Sequence, residues 1–363
     1  MKALISAYAR SPQTFARKGP LANVRPDDLA ASVVKGLIAH YKLDPTTLED
    51  LILGCAYPEA TQGNNLARIV GLLAGLPQEL PGVTVNRFCG SSMQAIHMAA
   101  ANLEAGIGEA YLCVGVESMS QVPQGGFNFS PNPAIPEAYV TMGQTAENVA
   151  QRYSISRADQ EEFALRSHQK AGHNQEPLIP IGEVNADGCI RPGTSLEALA
   201  KLAPAFRADG VVTAGTSSPL TDGASAVLVT TAEYAARHGL IPLARITTFA
   251  TSGCDPAYMG MGPVPATRKA LQRAGLSVAD LDLIELNEAF ASQALACQRE
   301  LGLDLDKINL EGGGLALGHP LGATGARITG QAALLLQRHN ARYALATQCI
   351  GGGQGIATIL ERP

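Results

Sequence analysis

The chain has 363 residues, of which 46% are hydrophobic and 16% charged, with a formal net charge of −5. That is enough for two or three cores, and the apolar content excludes intrinsic disorder. The excess of acidic residues (32 against 27 basic) offers no field for a nucleic-acid backbone, although one phosphorylated ligand needs only local charge. Along the chain, MKALISAYAR carries too short an apolar run before Arg10 for a secretory signal and suits a first strand. Arg25-Pro26-Asp27-Asp28 starts a helix, with proline in its first turn, acids at the positive end of the dipole, and Leu29, Val33 and Leu37 following at four-residue spacing. Strands are predicted over 51–55 and 83–86, a helix over 91–104, and a strand buried on both faces over 110–116.

Residues 119–219 break this βαβ rhythm, opening with the glycine-, proline- and asparagine-rich loop VPQGGFNFSPNPAIP. One clear helix signal follows, Ser156-Arg157-Ala158-Asp159, and a strand of the first half resumes in GVVTAGTSSPLTDGASAVLV. The rhythm then returns at a nearly constant offset: Asp50-Leu51-Ile52 matches Asp282-Leu283-Ile284, Gly90 matches Gly322, and Glu117 matches Cys349. The expected organisation is therefore a first core domain from 1–118 and 220–242, an inserted loop domain at 119–219, and a second core domain at 243–363. Equivalent strand ends would meet, and the active site should draw on both halves. After a strand over 343–348, the uncharged run to Leu360 holds too many glycines and glutamines for a membrane span. Seven cysteines without CxxC spacing read as free thiols of a reducing compartment, the cytoplasm, and not as disulfides or a zinc site.

Four positions could carry chemistry. Cys89, in TVNRFCGSSMQA, lies where a strand meets a turn and a helix N-terminus, so the dipole should stabilise its thiolate and backbone N–H groups could receive an oxyanion. The plainer reading is a small buried thiol. His319, in GGGLALGHPLGATGAR, sits among glycines just before the equivalent of Gly90 and could approach Cys89. Cys349 begins CIGGGQG, whose glycines can present N–H groups to an anionic oxygen, unless it is a strand-end thiol only. Asn287, in LIELNEAFASQALA, follows a buried strand and could orient a water or a carbonyl, or simply cap a helix.

NRFCGSSMQA, NEAFA, GGGLALGHPLGATGAR and CIGGGQG occur in the order and contexts of the thiolase family, which the chain resembles over essentially its whole length, including SAYARSP and GTSSPLTDGASA. That resemblance implies an α/β thiolase fold: two pseudo-duplicated βαβαβαββ core domains in five α-β-α-β-α layers, with an inserted loop domain over the site. It implies that Cys89 is the acylated nucleophile, that His319 activates it, and that Cys349 moves protons. An Asn287-held water with His319 would then stabilise an enolate, and the N–H groups of Cys89 and Gly351 a tetrahedral intermediate. Coenzyme A would be a co-substrate, with no tightly bound cofactor and no metal, and Arg191 and Ser218 fall where thiolases contact its nucleotide and pantetheine portions. Arg191 could equally be a surface salt-bridge residue.

Thr141, Met142, Met259 and Phe290 would line the substrate pocket. Acetoacetyl-specific members commonly have histidine at Thr141, and ESMSQVPQGG lacks the Pro-His of biosynthetic members, so a degradative 3-ketoacyl-CoA thiolase is expected. An acetoacetyl-specific biosynthetic thiolase is the alternative. A decarboxylating ketoacyl synthase is disfavoured by Cys349, and a non-catalytic acyl-binding protein by the four intact motifs. The insert reads as shortened, and Glu311 stands where Asn or Asp is usual. Expected partners are acyl-CoA and CoA, a second copy in a homodimer or dimer of dimers, and, for a degradative member, a hydratase/dehydrogenase subunit.

Overall fold

Proline at the first position of α1 (Pro26–Tyr41), with Asp27 and Asp28 in its first turn, starts the helix where the sequence places it, and Lys42 ends it in the left-handed conformation. The computed structural model describes residues 2–122 and 130–363. Part of the glycine-rich loop, and with it the absent Pro-His dipeptide, lies outside the described residues.

Before α1 come β1 (Leu4–Arg10) and β2 (Thr14–Phe15), and after it β3 (Asp50–Gly54), α2 (Leu66–Leu73), β4 (Gly82–Val85), α3 (Ser91–Glu104) and β5 (Ala110–Ser118). Among the described residues the insert holds three α-helices: α4 (Met142–Arg152), α5 (Arg157–Ala171) and α6 (Leu196–Ala200). The first half closes with β6 (Thr221–Thr230) and α7 (Ala232–Arg237). The second half contains β7 (Ala244–Gly253), α8 (Pro263–Ala274), β8 (Leu283–Leu286), α9 (Ala291–Leu301), α10 (Gly314–Leu317), α11 (Leu321–Arg338), β9 (Tyr343–Ile350) and β10 (Gln354–Glu361).

The pseudo-repeat is visible in the sheet order, β4-β3-β5-β6-β1-β7-β10-β9-β8. Read outward from β1 and from β7, the halves run β6-β5-β3 and β10-β9-β8, each through its last strand and its last but one to an earlier parallel strand. The second half's missing outer strand survives as a single parallel bridge between Ile284 and Ile308. The two halves share one sheet, because Leu4 and Ile5 of β1 pair with Arg245 and Ala244 of β7.

Alternation along the strands buries both faces. Ile52, Tyr111, Cys113, Ala344 and Ala346 face a middle core shared with α3 and α11. Leu51, Leu53, Leu112 and Val114 face α1 and α2, while Ile284, Leu345 and Ile359 face α8 and α9. The order is therefore helix, sheet, helix, sheet, helix, with α3 and α11 in the central layer. Glycines let α11 sit close to its neighbours: a Cβ at Gly115 of β5 would fall 2.6 Å from the Ala323 Cα, and one at Gly325 would overlap the Met93 backbone of α3. Insert and core are tied by a buried network. Arg10 of β1 bonds Asp187 at 2.7 Å and also Glu176, which reaches Arg327 of α11 at 3.2 Å. Among the described residues no helix is long and apolar enough to cross a membrane.

Candidate active site

Cys89 stands between β4 and α3, in a turn tightened by Phe88, whose φ of 42° is left-handed. Asn86 Oδ1 accepts from the Phe88 N–H at 2.7 Å, and Ser91 Oγ accepts from the Arg87 N–H at 2.9 Å while donating to the Phe88 carbonyl at 2.6 Å. These bonds hold a non-glycine residue in the strained geometry that presents the cysteine. From the other half, the Gln348 amide donates to the Cys89 carbonyl.

The helix dipole was expected to stabilise the Cys89 thiolate. Burial outweighs it: the thiol is pushed up to about 12, with the Gly351 N–H pulling the other way and the Glu117 carboxylate adding to the rise. Cys89 therefore rests as a thiol, and activation requires a base.

His319 is buried, at the entrance to α11. Gly318 before it has a φ of 101°, and a Cβ there would meet Thr221 Cγ2 at 2.7 Å, so glycine is required for the chain to bring His319 in. The Thr221 hydroxyl accepts from the His319 N–H at 3.0 Å, and the ring Nδ1 lies 2.6 Å from Thr324 Oγ1. Asn287 Nδ2 approaches His319 Nε2 at 3.3 Å, and its Oδ1 is buried without a partner. Helix capping by Asn287 is set aside, because α9 begins at Ala291 with Phe290 in the cap position. Desolvation and the Arg327 charge hold the His319 imidazole down to about 3, so it is neutral.

Cys349 is inside β9, paired with Gly355 of β10, where the sequence placed it after the strand. Burial pushes its thiol well above the ordinary value, and Cys89 raises it further, so the two sulfurs are electrostatically coupled. Cys349 packs with Ala146, Val212, Met259, Ala289 and Phe290 in one apolar cluster, which gathers three of the expected site residues. Met142, 37% exposed at the start of α4, neighbours Gly351, with its sulfur 3.7 Å from where a Gly351 Cβ would be. Thr141 precedes it as an exposed N-cap with no side-chain cap bond.

The coenzyme A positions divide. Ser218 is half-buried and donates its N–H to the Ala289 carbonyl at 2.9 Å, beside the Asn287 loop. Arg191 is exposed and stays apart: its guanidinium lies 5.2 Å from the Phe15 ring centre, and no described acidic side chain pairs with it. Phe206, which sequence reasoning missed, packs edge-on to Phe290 at 5.9 Å and lies directly over Gly143. Glu117 and Thr324 were missed as well. Among the described residues no group of three His, Cys, Asp or Glu side chains could hold a metal ion.

Comparison with known proteins adds family evidence to this geometry. The model of the thiolase N-terminal domain matches residues 3–233, and that of the C-terminal domain residues 240–362. The chain is 47% identical to a 3-ketoacyl-CoA thiolase of Saccharophagus degradans, over 99% of this chain and 98% of that protein. That alignment spans 383 positions, so the relative holds residues with no counterpart here. A structure of human mitochondrial 3-ketoacyl-CoA thiolase in complex with CoA superposes with a TM-score of 0.92 at 39% identity, covering 99% of this chain and 98% of the other. The Bacillus anthracis acetyl-CoA acetyltransferase also gives 0.92, at 38% identity and 100% and 99% coverage.

Proposed function

This chain belongs to the thiolase family, and from that premise we propose how its site performs the thiolysis of a 3-oxoacyl-CoA by coenzyme A. The observation that carries the proposal is that one strand, β9, meets both parts of the site: Gln348 donates to the Cys89 carbonyl beside the second thiol, Cys349, and Thr347 accepts from the N–H of Asn287, whose side chain approaches a neutral His319.

Thr324 Oγ1 donates to the Pro320 carbonyl at 3.3 Å and accepts from Nδ1–H, which leaves His319 Nε2 unprotonated and able to act as a base. His319 takes the Cys89 proton, and the sulfur attacks the keto carbon of the substrate. The tetrahedral oxyanion is held by the N–H groups of Cys89 and Gly351. When the bond between C2 and C3 breaks, its electrons pass to the acetyl-CoA enolate, whose oxygen faces His319 and a water held by Asn287. The unpartnered Oδ1 of Asn287 supports that water. Cys349 protonates C2 and releases acetyl-CoA. Its thiolate then takes the proton of an incoming CoA thiol, which attacks the acyl-Cys89 thioester and frees the shortened acyl-CoA. The departing Cys89 sulfur recovers its proton from His319. The proton-transfer group and the nucleophile are distinct, as cleavage of a carbon–carbon bond with an enolate leaving group requires.

Ser218 and Phe206 are placed to contact the pantetheine arm, since both adjoin the Asn287–Phe290 loop. Arg191 would contact the nucleotide only after leaving Phe15. The terminal strand β4, half-buried at all four residues, is an edge at which a second copy can pair, which supports a homo-oligomer. Seven free thiols suit the cytoplasm.

Acetoacetyl-CoA with free CoA tests the activity: its enolate absorbance should decline without any malonyl donor, and no decline would refute the proposal. Thr141 tests the degradative subtype. A small hydroxyl at the start of α4 leaves room for a longer acyl chain, each buried methylene contributing up to about 0.8 kcal/mol. Thiolysis of 3-oxohexanoyl- and 3-oxooctanoyl-CoA should match or exceed that of acetoacetyl-CoA in kcat/KM, and strict acetoacetyl-CoA preference would favour the biosynthetic reading.

A further inference from the structure

Glu117 is a buried carboxylate that the reaction above does not use, and it occupies in the first half the strand position that Cys349 occupies in the second. It accepts from the Ala56 N–H at 2.8 Å, the Tyr57 N–H at 3.3 Å, Gln62 Nε2 at 2.7 Å, the Gly322 N–H at 2.9 Å and the Cys55 thiol at 3.8 Å. Burial raises its pKa, and the amide and backbone donors pull the other way, toward the anion. Ala56 and Tyr57 belong to the loop leaving β3, whose Cys55 carbonyl receives Ser91 Oγ at 3.4 Å from the Cys89 turn. Gly322 is in the first turn of α11, three residues after His319, and a Cβ on it would meet the Val116 carbonyl oxygen at 2.7 Å. One carboxylate thus spans the support of the nucleophile and the support of the base, at the positive end of a helix.

We infer that Glu117 is a positioning residue that locks the start of α11, and with it His319, against the turn that presents Cys89. Its negative charge has a second effect, since it disfavours the Cys89 thiolate until His319 takes the proton. The other described titratable groups that interact with Cys89 are Tyr57, from the loop after β3, and Cys349, from β9.

The inference rests on the assignment of Cys89 and His319 as nucleophile and base. Two variants separate position from charge: Glu117→Gln keeps the length and removes the charge, while Glu117→Asp keeps the charge and loses reach. The rate at which iodoacetamide inactivates the unliganded protein at roughly pH 8 to 10, below the midpoint, reads the thiolate fraction of Cys89 directly. In Glu117→Gln that rate should rise about tenfold, while kcat for thiolysis falls about 10- to 100-fold with KM for CoA held within about twofold. Glu117→Asp should lower kcat and leave the alkylation rate where it was. An unchanged alkylation rate in Glu117→Gln, a kcat within about threefold of wild type, or loss of the fold in both variants would overturn the inference. Absence of turnover in the wild type would refute the thiolase mechanism instead, and the alkylation rate would remain readable.

Discussion

Cys89 and Cys349 are chemically alike, and their surroundings divide the work between them. Cys89 is partly exposed in a strained turn that presents it, while Cys349 is fully buried among Met259, Phe290 and Val212 with its thiol raised by burial. A thiol that resists ionisation suits the delivery of a proton to carbon. Cys349→Ala should still accept an acetyl group on Cys89, but exchange of the acetyl-CoA methyl protons with deuterated water and thiolysis should both fall about 100- to 10,000-fold. A loss below about tenfold in both would assign the proton to another residue. These two cysteines, with His319 and Asn287, were legible because each sits in a glycine-punctuated segment where strand, turn and helix meet. Glu117 was not, since a carboxylate near the end of the run AYLCVGVES carries no local sign that donors from distant segments converge on it.

At the scale of elements, α3 was readable to its last residue. Its boundaries are set by Gly90 before Ser91 and by the break in apolar spacing after Glu104. Helices α4 and α6 escaped, one because its polar outer face weakens the pattern and the other because five residues hold too little of it. The close seat of α11 on α3 was legible only as glycines in GATGAR, whose purpose appears when Gly325 meets the Met93 backbone. Gly325→Ala should therefore cost about 1–3 kcal/mol through overpacking, measured by urea denaturation, and should lower activity by displacing His319. Stability equal to wild type would mean that the two helices have slack at this contact. Glu311, the departure noted before the glycines, is accommodated by Arg338 at 2.7 Å, Gln331 at 2.8 Å and the Gln175 N–H at 2.9 Å.

For the whole molecule, three histidines are buried with their pKa held down: His97 and His319 in the central layer or beside it, and His168 of α5, lowered to about 4. His97 stacks on Phe249, bonds Thr358 at 2.7 Å and is held down to about 3 by desolvation, as is His319. A folded pKa below the unfolded value means that the unfolded chain binds the extra proton, so stability is lost as pH falls below about 6.5 toward 3. His97→Gln removes one such group. Its stability deficit relative to wild type should shrink as pH drops below 6.5, by about 1.4 kcal/mol per pH unit, in parallel denaturation curves. A constant deficit would mean that His97 is not held neutral. The sharing of one sheet by the two halves lay beyond the sequence, because two paired residues at the start of β1 leave no periodic trace. The pseudo-repeat itself was legible, and it is what brings Cys89 of one half to the Cys349 strand of the other.

The central claim is that Cys89 carries the acyl group, and intact-protein mass spectrometry after incubation with acetyl-CoA and no acceptor tests it most directly. One acetyl group should be added per chain, mapping to Cys89, absent from Cys89→Ala and retained when Cys55 or Cys113 is replaced. A stoichiometric acetyl group on a different cysteine in Cys89→Ala, or none on the wild type, would contradict the account.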